Sequence, residues 1–268
     1  MRLTNLFILI TIVAFACNPP KKAEGEQETT ETQEVKPTIT LTKAPASPQY
    51  PDAQLTRVGE GSPVTATSGE ETVANQVSYD FSVEGFELGV QTEDAGTRGI
   101  ANSGKGQHIH FIVNNGPYAA HYMSMINQEM EEGNYTILAF LSRSYHESVK
   151  SPGAYFVQNV TVGDVEPAEV DLSAPHLFFS RPKGTYNGAD TEKLMLDFYL
   201  LNCELSADGF KVRATINDQS FNITEWVPFY IEGLGMGEVN IKLELLDAEG
   251  NLVDSPFNPV ERTVTLAE

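Results

Sequence analysis

Beyond about residue 48, apolar and polar positions alternate with a period of two in short runs separated by clusters of Gly, Asn, Asp and Pro. Side chains alternate between the two faces of an extended strand, whereas a helix repeats every three to four residues. The pattern therefore predicts strands, at 76–83, 107–113, 135–142, 154–162, 176–180, 193–201, 211–216, 239–246 and 262–266. No long stretch carries a helical period, and the expected fold class is all-β.

The strand pattern is duplicated. Asp80-Phe81 and Glu87-Leu88 recur as Asp197-Phe198 and Glu204-Leu205, the run from His108 matches that from Lys211, and Gly133 to Leu141 matches Gly237 to Leu245. Shared order of this kind predicts two tandem immunoglobulin-like antiparallel β-sandwich domains, at 48–165 and 172–268. The comparison also assigns faces. Ile109, Phe111 and Val113 match Val212, Ala214 and Ile216 as the inner set, so His108, His110 and Ile112 point outward, in the places of Lys211, Arg213 and Thr215. Likewise Leu138 and Phe140 face outward where the second half has Lys242 and Glu244, and an outer apolar face of this kind marks an interface.

The first 47 residues follow neither pattern. Residues 1–16 place Arg2 before an apolar run and small residues before Cys17, the layout of a signal peptide, too short to span a bilayer. The expectation is a lipoprotein, lipidated on Cys17, held to the membrane through that lipid in a Gram-negative cell envelope, in the outer membrane or facing the periplasm. A soluble secreted protein with an incidental Cys17 is the alternative. Residues 17–47 are rich in Pro, Glu, Thr and Lys and read as a disordered tether. With Cys17 lipidated, Cys203 has no partner for a disulfide, and its apolar neighbours suit a small buried hydrophobe. A formal net charge of −20 argues against nucleic acid as a partner.

Candidate chemistry gathers at one end of the first domain. The strand at His108 and the strand ending near Ser142 are expected to be antiparallel neighbours, which brings His108 and His110 toward Arg143, Ser144, Tyr145 and His146. Adjacent strands lie about 4.8 Å apart, so His108, His110 and His146, with His121 possible nearby, can meet at one metal ion. Zinc or copper are the candidate ions, with Glu93, Asp94 and Glu147 as carboxylates and Met123 and Met125 as soft ligands for copper. The rival at the same place is an anion, because Arg98, Lys105, Arg143 and Lys150 cluster around these loops in an otherwise acidic chain. Gly99 to Gly106 imitates a phosphate-binding loop, but Gly106 stands where a Ser or Thr is needed and a strand follows. No enzyme signature is present, so a non-enzymatic binding module is expected. A third reading is a structural partner module of an envelope complex that docks through Phe140.

The strings GKGQHIHFIVNNGPY (104–118), AFLSRSYHESVK (139–150), APHLFFSRPKGTY (174–186) and SADGFKVRATI (206–216) resemble a family of Gram-negative envelope lipoproteins commonly described as phosphopeptide-binding proteins. The resemblance covers roughly residues 45–267. It implies recognition of a phosphorylated peptide, with Arg143, Ser144 and Ser148 as the matching positions; Lys105 and Arg98, from the cation cluster above, join them as candidate ligand-binding residues, and an envelope protein is the other candidate partner.

Overall fold

The computed structural model describes residues 38–59 and 75–268. The expectations for the signal peptide, for Cys17 and for the first part of the tether lie outside these residues. In chain order the strands are β1 (Thr40–Lys43), β2 (Gln54–Arg57), β3 (Asn75–Glu84), β4 (His108–Val113), β5 (Ala119–His121), β6 (Met125–Met130), β7 (Gly133–Ser142), β8 (Tyr155–Val162), β9 (His176–Arg181), β10 (Thr185–Asn187), β11 (Lys193–Leu201), β12 (Lys211–Ile216), β13 (Gln219–Ile223), β14 (Phe229–Glu232), β15 (Gly237–Leu246) and β16 (Val260–Ala267). Among the described residues no helix is long and apolar enough to cross a membrane.

These strands form two β-sandwiches. In the first, sheet β2-β3-β6 faces sheet β5-β4-β7-β8; in the second, sheet β1-β14-β11-β9 faces sheet β10-β16-β15-β12-β13. Each encloses its own core, Tyr79, Phe81, Ile109, Phe111, Ile137 and Leu141 being central to one and Phe179, Leu196, Phe198, Val212, Ile241 and Leu243 to the other. The duplication extends to register. Ile109 pairs with Leu141 as Val212 pairs with Leu245, and Val113 with Ile137 as Ile216 with Ile241. It extends also to turns. Asn114 and Asn217, both in the left-handed region, accept a hydrogen bond through Oδ1 from the backbone N–H of Thr136 and Asn240 respectively. A short amide side chain tolerates that conformation and satisfies the neighbouring strand end.

All nine predicted strands are present. The seven others are short, and six of them are sheet edges, where pairing on one side relaxes the demand for an apolar sequence. One corrects the tether, expected to run to residue 47. Strand β1 pairs with β14 from Thr40↔Glu232 to Lys43↔Phe229, and Ile39 is buried in the second core. The run Thr38-Ile39-Thr40-Leu41-Thr42 alternates β-branched and aliphatic residues and carries the strand signal within a polar composition.

The two sandwiches meet face to face. The outer face of β4 and β7 supplies Ile112, Leu138 and Phe140; the outer face of β9 and β11 supplies Phe178, Tyr199 and Leu201; Tyr118 and Phe257 complete a third buried cluster. Thus the apolar outer face of the first domain is covered by the second. Phe140 is fully buried there, which removes it as a docking surface for an external partner.

Candidate metal centre

The histidine positions follow from strand parity and from one turn. With Ile109 and Phe111 in the first core, His108 and His110 project from the opposite face of β4, as expected; that face, however, is the inter-sandwich junction, and both rings are buried rather than exposed at a tip. Because His108 pairs with Ser142 at the end of β7, the residues after Ser142 fold back over the start of β4. The Arg143 N–H donates to Glu147 O at 2.8 Å and the His146 N–H to Arg143 O at 2.8 Å, closing a turn in which His146 has φ 71°. His is among the few non-glycine residue types that adopt a left-handed backbone with any frequency, and here it closes the turn.

The turn sets His146 over the other two rings. His108 Nε2 lies 2.9 Å from His110 Nε2 and 3.1 Å from His146 Nδ1, and one nitrogen from each ring falls within 4.8 Å of the others. The outer nitrogen of His108, Nδ1, is 2.8 Å from the carbonyl oxygen of Gly106. A carbonyl only accepts, so Nδ1 carries the hydrogen and Nε2 presents its lone pair to the centre. Gly106 has φ 86°, and a Cβ there would sit 2.5 Å from the Val90 carbonyl oxygen, so only glycine brings that carbonyl to the ring. His110 Nδ1 is 3.1 Å from Ser180 Oγ, on the outer face of β9, and the Tyr118 ring stacks on the His110 ring with centroids 3.5 Å apart.

Burial disfavours the charged form of all three rings, and Arg181 adds repulsion. His108 is held down to about 4, and His110 and His146 are also lowered, His110 further disfavoured by its two histidine neighbours and Lys183. The imidazoles are therefore neutral near pH 7, the state in which they bind metals. Four tetrahedral nitrogens at about 2.0–2.1 Å from zinc lie about 3.3 Å apart. The two shorter spacings here, 2.9 and 3.1 Å, are close to that value, and the third pair lies within 4.8 Å. Without an ion, His110 Nε2–H can donate to His108 Nε2, and the Tyr118 hydroxyl, 3.2 Å away, to His146 Nδ1.

Several sequence-predicted residues lie elsewhere. His121 pairs with Ile109 across β4 and β5, its ring meets Phe111, and it is outside the three-histidine group. Met123 and Met125 are exposed. Asp94 receives Arg98 Nε at 2.8 Å, and Glu147 binds Arg143 Nη1 at 3.1 Å, so these carboxylates neutralise arginines.

The anion set is not assembled as a surface either. Arg143 is buried, its guanidinium donating to Pro48 O and Ser148 O in addition to Glu147. Ser144 is buried and bonded to Thr92, and Ser148 to Asp197 of the second sandwich. Arg98 donates to Pro45 O, Ala46 O and Ser47 Oγ, and Lys105 sits over the Tyr122 ring. The phosphate-binding expectation for these positions is thus corrected for Arg98, Arg143, Ser144 and Ser148. Their hydrogen-bonding capacity is used in shaping loops and the junction.

Residues not anticipated from the sequence come from the second sandwich. Arg181, Lys183 and Arg262 surround Tyr118, at 5.9 Å and 4.3 Å from its centroid for the first two, while Arg262 donates to Ser180 O and Phe179 O. None of the three forms an ion pair among the described residues. The signal available was parity along β9, which puts Ser180 on the same outer face as Phe178; its use required knowing that this face meets β4.

No family model matches the chain, and no curated protein matches it. Among solved structures, it is similar to fibronectin(III)-like modules of CbhA from Clostridium thermocellum, with 12% identity over 80% of this chain and 94% of that one and a TM-score of 0.27. The central fibronectin-III array of RIM-binding protein gives 9% identity over 84% and 72%, with a TM-score of 0.26. The Bacteroides ovatus protein SGBP-B, in complex with a mixed-linkage heptasaccharide, gives 12% over 80% and 70%, with a TM-score of 0.22. Likenesses at this level say nothing about ligand or activity.

Proposed function

We propose that the chain is an exported, lipid-anchored binding protein that holds one transition-metal ion, zinc or copper, on His108, His110 and His146 at the junction of its two sandwiches. The observation that carries this reading is the meeting of one ring nitrogen from each of three neutral imidazoles at a point where β4 and the turn after β7 converge, with the Gly106 carbonyl fixing the tautomer of His108. An outer-shell acceptor on the far nitrogen is the usual companion of a metal-bound histidine.

The phosphopeptide reading drawn from the family resemblance has less support, because Arg143, Ser144 and Ser148 are buried and bonded within the protein. A ligand that binds only the folded state raises stability by about 2.7 kcal/mol at one hundred times its dissociation constant. Zinc or copper is therefore expected to raise the unfolding midpoint of the wild type and to leave His146→Ala unchanged. An equal rise in both, or none in either, rejects the site.

A further inference from the structure

We infer, building on the metal reading above, that the centre selects a monovalent ion, copper(I), over divalent zinc. The donors are three neutral imidazole nitrogens, and no carboxylate or thiolate belongs to the group. The surroundings are cationic although the chain as a whole carries a formal charge of −20. Lys183 Nζ lies 4.3 Å from the Tyr118 centroid, the Tyr118 ring stacks on His110, and the Arg181 guanidinium lies 5.9 Å from the same Tyr118 centroid while donating to Tyr186 Oη at 2.9 Å. Arg262, buried, spends its guanidinium on the carbonyls of Phe179 and Ser180, the latter residue being the one that meets His110. These three side chains have no carboxylate partner among the described residues, so their charge is not cancelled locally.

Electrostatic repulsion scales with the charge of the ion, so a dication meets twice the opposition that a monocation does at the same point. Neutral imidazoles give a dication coordinate bonds but cancel none of its charge. Three imidazole nitrogens can complete the shell of a three-coordinate copper(I), whereas zinc on three histidines must draw in a water as its fourth ligand. Burial strengthens the discrimination, because low dielectric magnifies the charge difference.

The test is competitive titration of the full chain, kept anaerobic with copper(I) under a chromophoric chelator, and separately with zinc. Wild-type protein is expected to bind one copper(I) per chain and to keep it against equimolar zinc. Lys183→Gln, at a half-buried position, removes one cation. It should tighten zinc binding by about the square of the factor by which it tightens copper(I), since the two ions differ twofold in charge. Lys183→Arg, which keeps the charge, should leave the ratio of affinities unchanged. Zinc binding as tightly as copper(I), or equal tightening of both by Lys183→Gln, overturns the selectivity while leaving the metal site standing. Failure of both ions to bind wild type overturns the metal reading itself.

Discussion

The ring of Phe140 in the first sandwich stacks on Tyr199 of the second, with centroids 4.8 Å apart and planes inclined by 20°. Both rings are buried, so the contact is part of the joint. Truncating a buried phenylalanine removes its transfer energy and leaves a cavity. Phe140→Ala is expected to lower stability by about 3–5 kcal/mol, read from urea unfolding. A loss under about 1 kcal/mol would mean that the two sandwiches do not depend on this contact.

Asp197 ties the same joint electrostatically. Its fully buried carboxylate accepts from Ser148 and, at 2.6 Å, from Lys150 Nζ of the first sandwich. Removing one member of a buried pair leaves the other uncompensated, so Asp197→Ala should cost about 3 kcal/mol. The same unfolding assay checks this, and retention of wild-type stability would contradict it.

Arg143 is assigned a structural duty in the turn that carries His146. Arg143→Lys keeps a positive charge but cannot reproduce the fork to Glu147, Pro48 and Ser148. Metal affinity and stability should both fall, with no change in retention on a phosphopeptide column. Loss of phosphopeptide binding with metal affinity intact would restore the anion reading.

The depressed histidines make stability depend on pH. An imidazole titrating near 6.5 when unfolded and near 4 at His108 when folded gives the unfolded state the greater proton uptake between those values. Stability is therefore fully present above about pH 6.5 and falls as pH drops toward 4, where the folded ring also protonates and the slope disappears. For His108 alone the loss is on the order of 3 kcal/mol, with His110 and His146 adding in the same direction. Denaturation at pH 7 and pH 5 checks it; equal midpoints would contradict the burial argument.

Much of the molecule was legible because a period of two and an internal repeat are properties of the sequence. The matching of His108 with Lys211 assigned the correct face to each side chain of β4, and antiparallel pairing brought His146 to the same place. The packing of one sandwich on the other was not legible, since it depends on which outer faces meet. Leu138 and Phe140 signalled an interface without naming its partner, and Ser180, Arg181 and Lys183 therefore entered the site unannounced. Arg143, Ser144 and Ser148 looked available because a sequence shows charge and polarity but not the carbonyls and Asp197 that occupy them. His121 fell outside because it sits on β5 opposite Ile109, facing the core.

The most direct test of the centre is elemental analysis of full-length protein purified without a metal-binding tag, alongside His108→Ala/His110→Ala and His146→Ala variants. One equivalent of copper or zinc in the wild type, and its loss in both variants while each stays folded by circular dichroism, is the predicted result. Wild-type protein without metal after incubation with both ions, or folded variants that retain it in full, would contradict the account.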